Sequence, residues 1–93
     1  MNQSVTAFNP FDYFQTKQEI NEFLLDCLND DDPNTFVTAL GQLAKKKGMT
    51  TISQATGLSR ESLYKTFNGK TQPKWATIFK VSQALGVQLQ IAA

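Results

Sequence analysis

Thr50–Gly69, TTISQATGLSRESLYKTFNG, is the stretch on which the reading of this chain turns. The spacing predicts a first helix over roughly Thr50–Thr56, with Ile52 and Ala55 on one face. Gly57 stands where a sharp turn needs positive φ, and Leu58 fills the angle between two helices. Ser59 is placed to cap a second helix, with Glu61 and Ser62 adding polarity to its first turn. Asn68-Gly69 supplies its end. A helix, a glycine turn and a second helix form a unit that small proteins use to set side chains in a DNA major groove.

Helical residues advance about 100° each, so Leu63, Thr66 and Phe67 define an inner face of the second helix. Ser59, Arg60, Glu61, Tyr64 and Lys65 are then the candidates for base readout. An arginine can meet guanine O6 and N7 bidentately, worth roughly 1–3 kcal/mol of discrimination. Glu61 suits a cytosine amino group, and Tyr64 offers a ring to a thymine methyl. Candidate phosphate contacts are Lys46, Lys47, Thr50, Thr51, Gln54, Ser62, Lys70, Thr71 and Lys74, with Gln54 foremost among the short polar groups. The bland alternative is a solvated helix in a small bundle. Likewise Lys45, Lys46 and Lys47 complement a helix dipole at a C-terminus whether or not they touch phosphate.

The charge distribution favours a polyanion. The 93 residues carry a net charge of +1, but this conceals two opposed halves. Residues 1–44 hold seven acids against Lys17, and residues 45–93 hold eight bases against Glu61, a balance of −6 against +7. Such asymmetry points to a nucleic-acid partner for one half and a basic partner for the other. Catalysis has little to stand on: there is no histidine, and the single cysteine, Cys27, lies on an apolar stripe as a small hydrophobe. Asp30-Asp31-Asp32 lacks the spacing of a calcium loop and reads as an acidic turn. No cofactor and no metal are expected. No apolar run approaches the roughly 18 residues of a membrane span, and the N-terminus has no secretory pattern, so a cytoplasmic protein is expected.

Outside the central stretch the pattern is helical. Met1–Asn9 reads as loosely held, Pro10–Phe14 as a short helical turn, and residues 1–15 as an N-terminal arm to a single domain over 16–93. Thr16 and Glu19 form a capping box opening a helix to about Asn29, with Ile20, Phe23, Leu24, Cys27 and Leu28 as its stripe. Asp32-Pro33 opens the next, with Phe36, Val37, Leu40, Leu43 and Ala44 inward and Gly48 at its end. After a loop over Lys70–Pro73, a helix over Lys74–Leu85 is expected to bury Trp75, Ile78, Phe79, Ser82 and Leu85. Gly86 stops it, and Val87, Leu89 and Ile91 alternate as a short strand. The fold class is therefore all-α: a compact bundle of about five helices containing the helix-turn-helix at 50–69, with a C-terminal strand at 87–91. Pairing of that strand with a second copy is one route to a homodimer; a tail docked on its own domain is the other reading.

The segment GMTTISQATGLSRESLYKTFNGKTQPKWATIFKVSQALGVQL, residues 48–89, resembles the helix-turn-helix domain of the Cro/C1 (lambda repressor-like) superfamily. A narrower resemblance, to HigA-like addiction-module antidotes, covers Phe8 to about Ile91 through FNPFDYF, ALGQLAKKKGM, GLSRESLYK and ALGVQLQI. Ser53, where alanine is usual, and Thr66, where a larger aliphatic is common, depart from the pattern and loosen packing slightly. The resemblance implies an antitoxin of a type II toxin-antitoxin module: a homodimer that represses its own operon at a palindromic operator and neutralises a RelE/HigB-like toxin. Glu19, Glu22 and Asp26, on the solvent side of their helix, then become candidate toxin contacts, against the plain reading of a solvated acidic face. A stand-alone phage-type repressor without a toxin and a protein-interaction adaptor are the alternatives.

Overall fold

In a computed structural model, residues 9–70 and 72–87 are described. A 3-10 turn over Pro10–Tyr13 leads to five helices: α1 (Lys17–Leu28), α2 (Pro33–Lys47), α3 (Met49–Thr56), α4 (Arg60–Thr66) and α5 (Trp75–Leu85). The helix count and order follow the sequence pattern. No strand occurs among the described residues.

The helix starts are set by short polar side chains. Glu19 N–H donates to Thr16 Oγ1 at 3.1 Å while Thr16 N–H donates to Glu19 Oε1 at 3.0 Å, which closes the expected capping box of α1. Asp32 Oδ1 accepts from Asn34 N–H at 2.9 Å, with Pro33 in the first turn of α2. Asp30 Oδ1 in turn accepts from Asp32 N–H at 2.8 Å, so the acidic run serves as an ordered inter-helix turn.

α2 is the hub, touching α1, α3, α5 and the 3-10 turn. It buries Phe36, Ala39, Leu40, Leu43 and Ala44, and the core is completed by Phe11, Leu24, Cys27, Met49, Ile52, Leu63, Ile78 and Val81. Each fully buried leucine contributes roughly 1.5–3 kcal/mol of transfer free energy. Phe11 meets Phe14 and Phe23 edge-on at centroid distances of 5.7 and 5.4 Å. Asn9 Nδ2 donates to the Gln42 carbonyl at 2.8 Å. Residues 9–14 of the segment read as an arm are thereby fastened to α1 and α2. The expectation for Met1–Phe8 lies outside the described residues.

Four burial expectations are corrected. Trp75 is 66% exposed and Phe79 48% exposed, where both were expected in the core. The buried arc of α5 centres on Ile78, Val81, Ser82 and Leu85, which leaves Trp75 and Phe79 at its edge on a 100° projection. Leu28, the last residue of α1, is 47% exposed. Ala55 is exposed, since the inner face of α3 runs through Met49, Ile52, Ser53 and Thr56. One helix end also differs. α4 stops at Thr66, so the cap is Phe67 (φ −103°, ψ 12°), one residue before the Asn68 expected in that place, and the Phe67 ring lies against α2.

Gly86 adopts φ 72° and closes α5, with Val87 N–H donating to the Ser82 carbonyl at 3.0 Å. Val87 packs against its own core and is not extended strand. The remainder of the expected strand, including Leu89 and Ile91, lies outside the described residues.

Candidate nucleic-acid interface

α3 and α4 pack together across a three-residue turn whose geometry follows from its residues. Gly57 takes φ 78°, a left-handed conformation that a Cβ disfavours. Ser53 Oγ donates to the Leu58 carbonyl at 2.6 Å, tying the turn back to α3. Thr56 Oγ1 donates to the Ile52 carbonyl at 2.8 Å and accepts from Leu58 N–H at 3.2 Å. Ser53, expected to loosen this junction, instead braces it with a hydrogen bond that alanine cannot make.

α4 has the two-faced character expected of it. Leu63 is fully buried, Thr66 and Phe67 are half-buried, and Arg60, Glu61, Tyr64 and Lys65 are exposed. Ser59 Oγ accepts from Ser62 N–H at 3.0 Å and sits 3.0 Å from Ser62 Oγ. Both hydroxyls are thus engaged in the cap, which leaves Arg60, Glu61, Tyr64 and Lys65 as the freer of the readout candidates. Lys65 Nζ lies 3.9 Å from Glu61 Oε1, a loose pair with both side chains more than 70% exposed. Either partner can be drawn away at little cost.

Besides Ser62 on α4, the residues expected to meet phosphate lie on α2, on α3 and beside the loop after α4. Thr50, Thr51 and Gln54 are exposed on α3, and Lys45, Lys46 and Lys47 are exposed in the last turn of α2. Lys70 and Lys74 are exposed either side of the loop that follows α4, while Thr71 lies outside the described residues. One contact was not foreseen: Lys46 Nζ pairs with Asp12 Oδ1 at 2.7 Å. Residues 34 apart in sequence carry no local signal of such a pair.

The acidic candidates Glu19, Glu22 and Asp26 are all exposed on α1. The Gln15 and Thr16 backbone N–H groups hold the Glu19 carboxyl below its ordinary range, so its charge is engaged in the cap. Burial first, then the carboxylates of Asp26 and Asp30, push the Cys27 thiol up. Cys27 is free and buried, as its place on the stripe implied. Among the described residues, no helix is long and apolar enough to cross a membrane.

The model of a family described as "probable addiction module antidote protein" matches residues 4–93. The chain belongs to that antidote family. The match takes in both halves of opposite charge. The chain is also 33% identical over 91 residues to an uncharacterized protein of Haemophilus influenzae, a match covering 98% of this chain and 94% of that one. No solved structure matches it. An antidote implies a toxin partner in general terms.

Proposed function

We propose that this antidote is a sequence-specific DNA-binding antitoxin that represses its own operon and neutralises a RelE/HigB-like toxin. The carrying observation is the two-sided α4, with Leu63 fully buried and Arg60, Glu61, Tyr64 and Lys65 exposed. In this reading α3 and α4 form a helix-turn-helix of Cro/C1 type. Arg60 reads guanine, Lys65 a guanine or a phosphate, and Tyr64 a thymine methyl. Lys47, Thr50, Thr51, Gln54, Lys70 and Lys74 meet the sugar-phosphate backbone, joined by Lys46 once it leaves Asp12. The protein acts as a cytoplasmic homodimer, two α4 helices lying about one DNA turn, roughly 34–36 Å, apart on a palindrome. Its chemistry is binding alone.

A gel shift with the DNA upstream of its own reading frame tests the regulatory part. The expected result is a retarded complex that survives excess scrambled DNA and is lost on Arg60→Ala. No retardation at low salt would remove DNA readout from the proposal and favour a protein-interaction adaptor. Growth rescue on co-expression with the product of the adjoining reading frame tests the antitoxin part. Rescue without operator binding would leave an antidote that does not regulate; operator binding without rescue would leave a stand-alone repressor.

A further inference from the structure

Between α1 and the first half of α2 runs an open, mainly apolar groove of about 320 Å³. Phe23, Cys27 and Ala39 supply its apolar lining. From α2 it is lined at every fourth residue by Asn34, Thr38 and Gln42, neutral groups that donate and accept hydrogen bonds. Among the described residues the charged group in the lining is Asp32, whose Oδ1 caps α2 by accepting from Asn34 N–H at 2.9 Å.

The described chain begins at one end of this groove. Asn9 Nδ2 donates to the Gln42 carbonyl at 2.8 Å, and Phe11 and Phe14 pack on the Phe23 ring at centroid distances of 5.4 and 5.3 Å. Gln42 and Phe23 are both groove residues, so residues 1–8 join the fold beside it. Length and composition then agree. From Asn34 to Gln42 the helical rise is about 12 Å. Four extended residues cover that span at about 3.3 Å each. Val5, Thr6, Ala7 and Phe8 immediately precede Asn9, and the side chains of residues 1–8 carry no charge. Apart from Asp32 the groove offers a charged occupant no counter-ion. Backbone N–H and C=O groups, by contrast, find both acceptors and donors along α2.

We propose that residues 5–8 of this same chain lie extended along the α1–α2 groove. Val5 and Ala7, on one side of the extended segment, meet the apolar lining, and the intervening backbone pairs with Asn34 and Thr38. The stretch that reads in sequence as loosely held is then a strap. It covers Cys27 and takes up this face of the domain before any partner arrives. The inference is independent of the DNA and toxin readings and stands or falls separately from them.

The test uses the full chain, isotope-labelled, in three forms: wild type, Val5→Asp/Ala7→Asp and Thr38→Trp. Thr38 is exposed, so tryptophan there fills the groove without entering the core. In the wild type, nuclear Overhauser contacts are expected from the Val5 and Ala7 methyls to those of Thr38 and Ala39. Both variants should lose the contacts of Val5 and Ala7 while keeping those among the core residues Leu40, Leu43 and Ile52. Cys27, the single cysteine, gives a second readout. A thiol reagent should modify it about tenfold faster in Val5→Asp/Ala7→Asp than in the wild type, the order expected when one buried aliphatic side chain is released. Wild-type contacts absent, with Cys27 reacting equally fast in both proteins, would overturn the strap. Contacts seen only between differently labelled copies in a mixed sample would overturn it in favour of a second chain filling the groove.

Discussion

The ring of Phe67 lies directly on the backbone of Gly41. A Cβ at Gly41 would stand 2.8 Å from Phe67 Cβ and 2.9 Å from its Cγ. Gly41 is buried in the middle of α2, where glycine otherwise costs about 1 kcal/mol relative to alanine. Its cost is offset by close approach: the Phe67 ring, just past the end of α4, meets the hub helix where no Gly41 side chain stands in its way. Leu63 and Phe67 together fix the rotation of α4, and therefore which of its side chains face outward.

Gly41→Ala is expected to destabilise the fold by about 1–3 kcal/mol despite the better helix propensity of alanine, through overpacking against Phe67. Urea titration measures the loss. Operator binding should weaken in the same variant, because the end of α4 must shift. A variant as stable as the wild type would show that Phe67 moves aside freely.

Arg60→Ala should cost roughly 1–3 kcal/mol of discrimination between operator and scrambled DNA. Lys70→Ala should weaken both alike and reduce the salt slope by about one. Competition gel shifts across a salt series separate the two behaviours. Equal loss of specificity from both would mean that α4 does not read bases.

The Asp12–Lys46 pair, with both side chains about half exposed (52% and 47%), should contribute only about 0.2–1 kcal/mol, screened by salt. Asp12→Asn is expected to lower stability slightly and, by releasing Lys46, to raise DNA affinity at low salt. A double-mutant cycle with Lys46→Gln isolates the coupling. Unchanged DNA affinity in Asp12→Asn would assign Lys46 to the 3-10 turn alone.

Ser82 is 3% exposed, and its hydroxyl has no hydrogen-bond partner among the described residues. Ser82→Ala should stabilise the fold by about 1 kcal/mol, since an unsatisfied buried hydroxyl carries a desolvation penalty. That corresponds to a rise of about 4–8 °C in Tm for a domain of this size. A lower Tm would indicate that the hydroxyl has a partner in solution.

Glu19 titrates below its unfolded-state value of 4.5, held there first by the Gln15 backbone N–H and then by the Thr16 N–H and hydroxyl. A carboxylate with a depressed folded pKa stabilises the fold above the unfolded value, and loses that contribution as pH falls through the folded one. Glu19→Gln should therefore show a flatter decline in stability below about pH 4.5 than the wild type. Denaturant midpoints measured on both proteins down that acid limb test it; parallel curves would refute the linkage.

Local chemistry was legible along the chain. Thr16 with Glu19, Asp32 with Pro33, and Ser59 announced three helix starts, and Gly48, Gly57 and Gly86 announced turns or ends. Each depends on residues within four positions of one another, so its physics is written into adjacent letters. The apolar periods of α1 and α2 were equally readable, because amphipathic helices of 12 and 15 residues display several turns of their stripe. On α5 the same reasoning misplaced Trp75 and Phe79. A helix this rich in apolar residues does not declare which arc faces inward until α2 and α3 are packed against it.

What the linear order of residues determined by itself was the set of five helices, their caps, the two-faced α4 and the separation of acid from base. Tertiary packing alone decided that Phe67 rests on Gly41, that Asp12 holds Lys46, and that α1 and α2 leave a groove between Phe23 and Ala39. Gly41 and Phe67 are 26 positions apart and Asp12 and Lys46 are 34 apart. Contacts over such distances depend on how helices cross, which is set by the joint shape of many side chains and not by any short run of them.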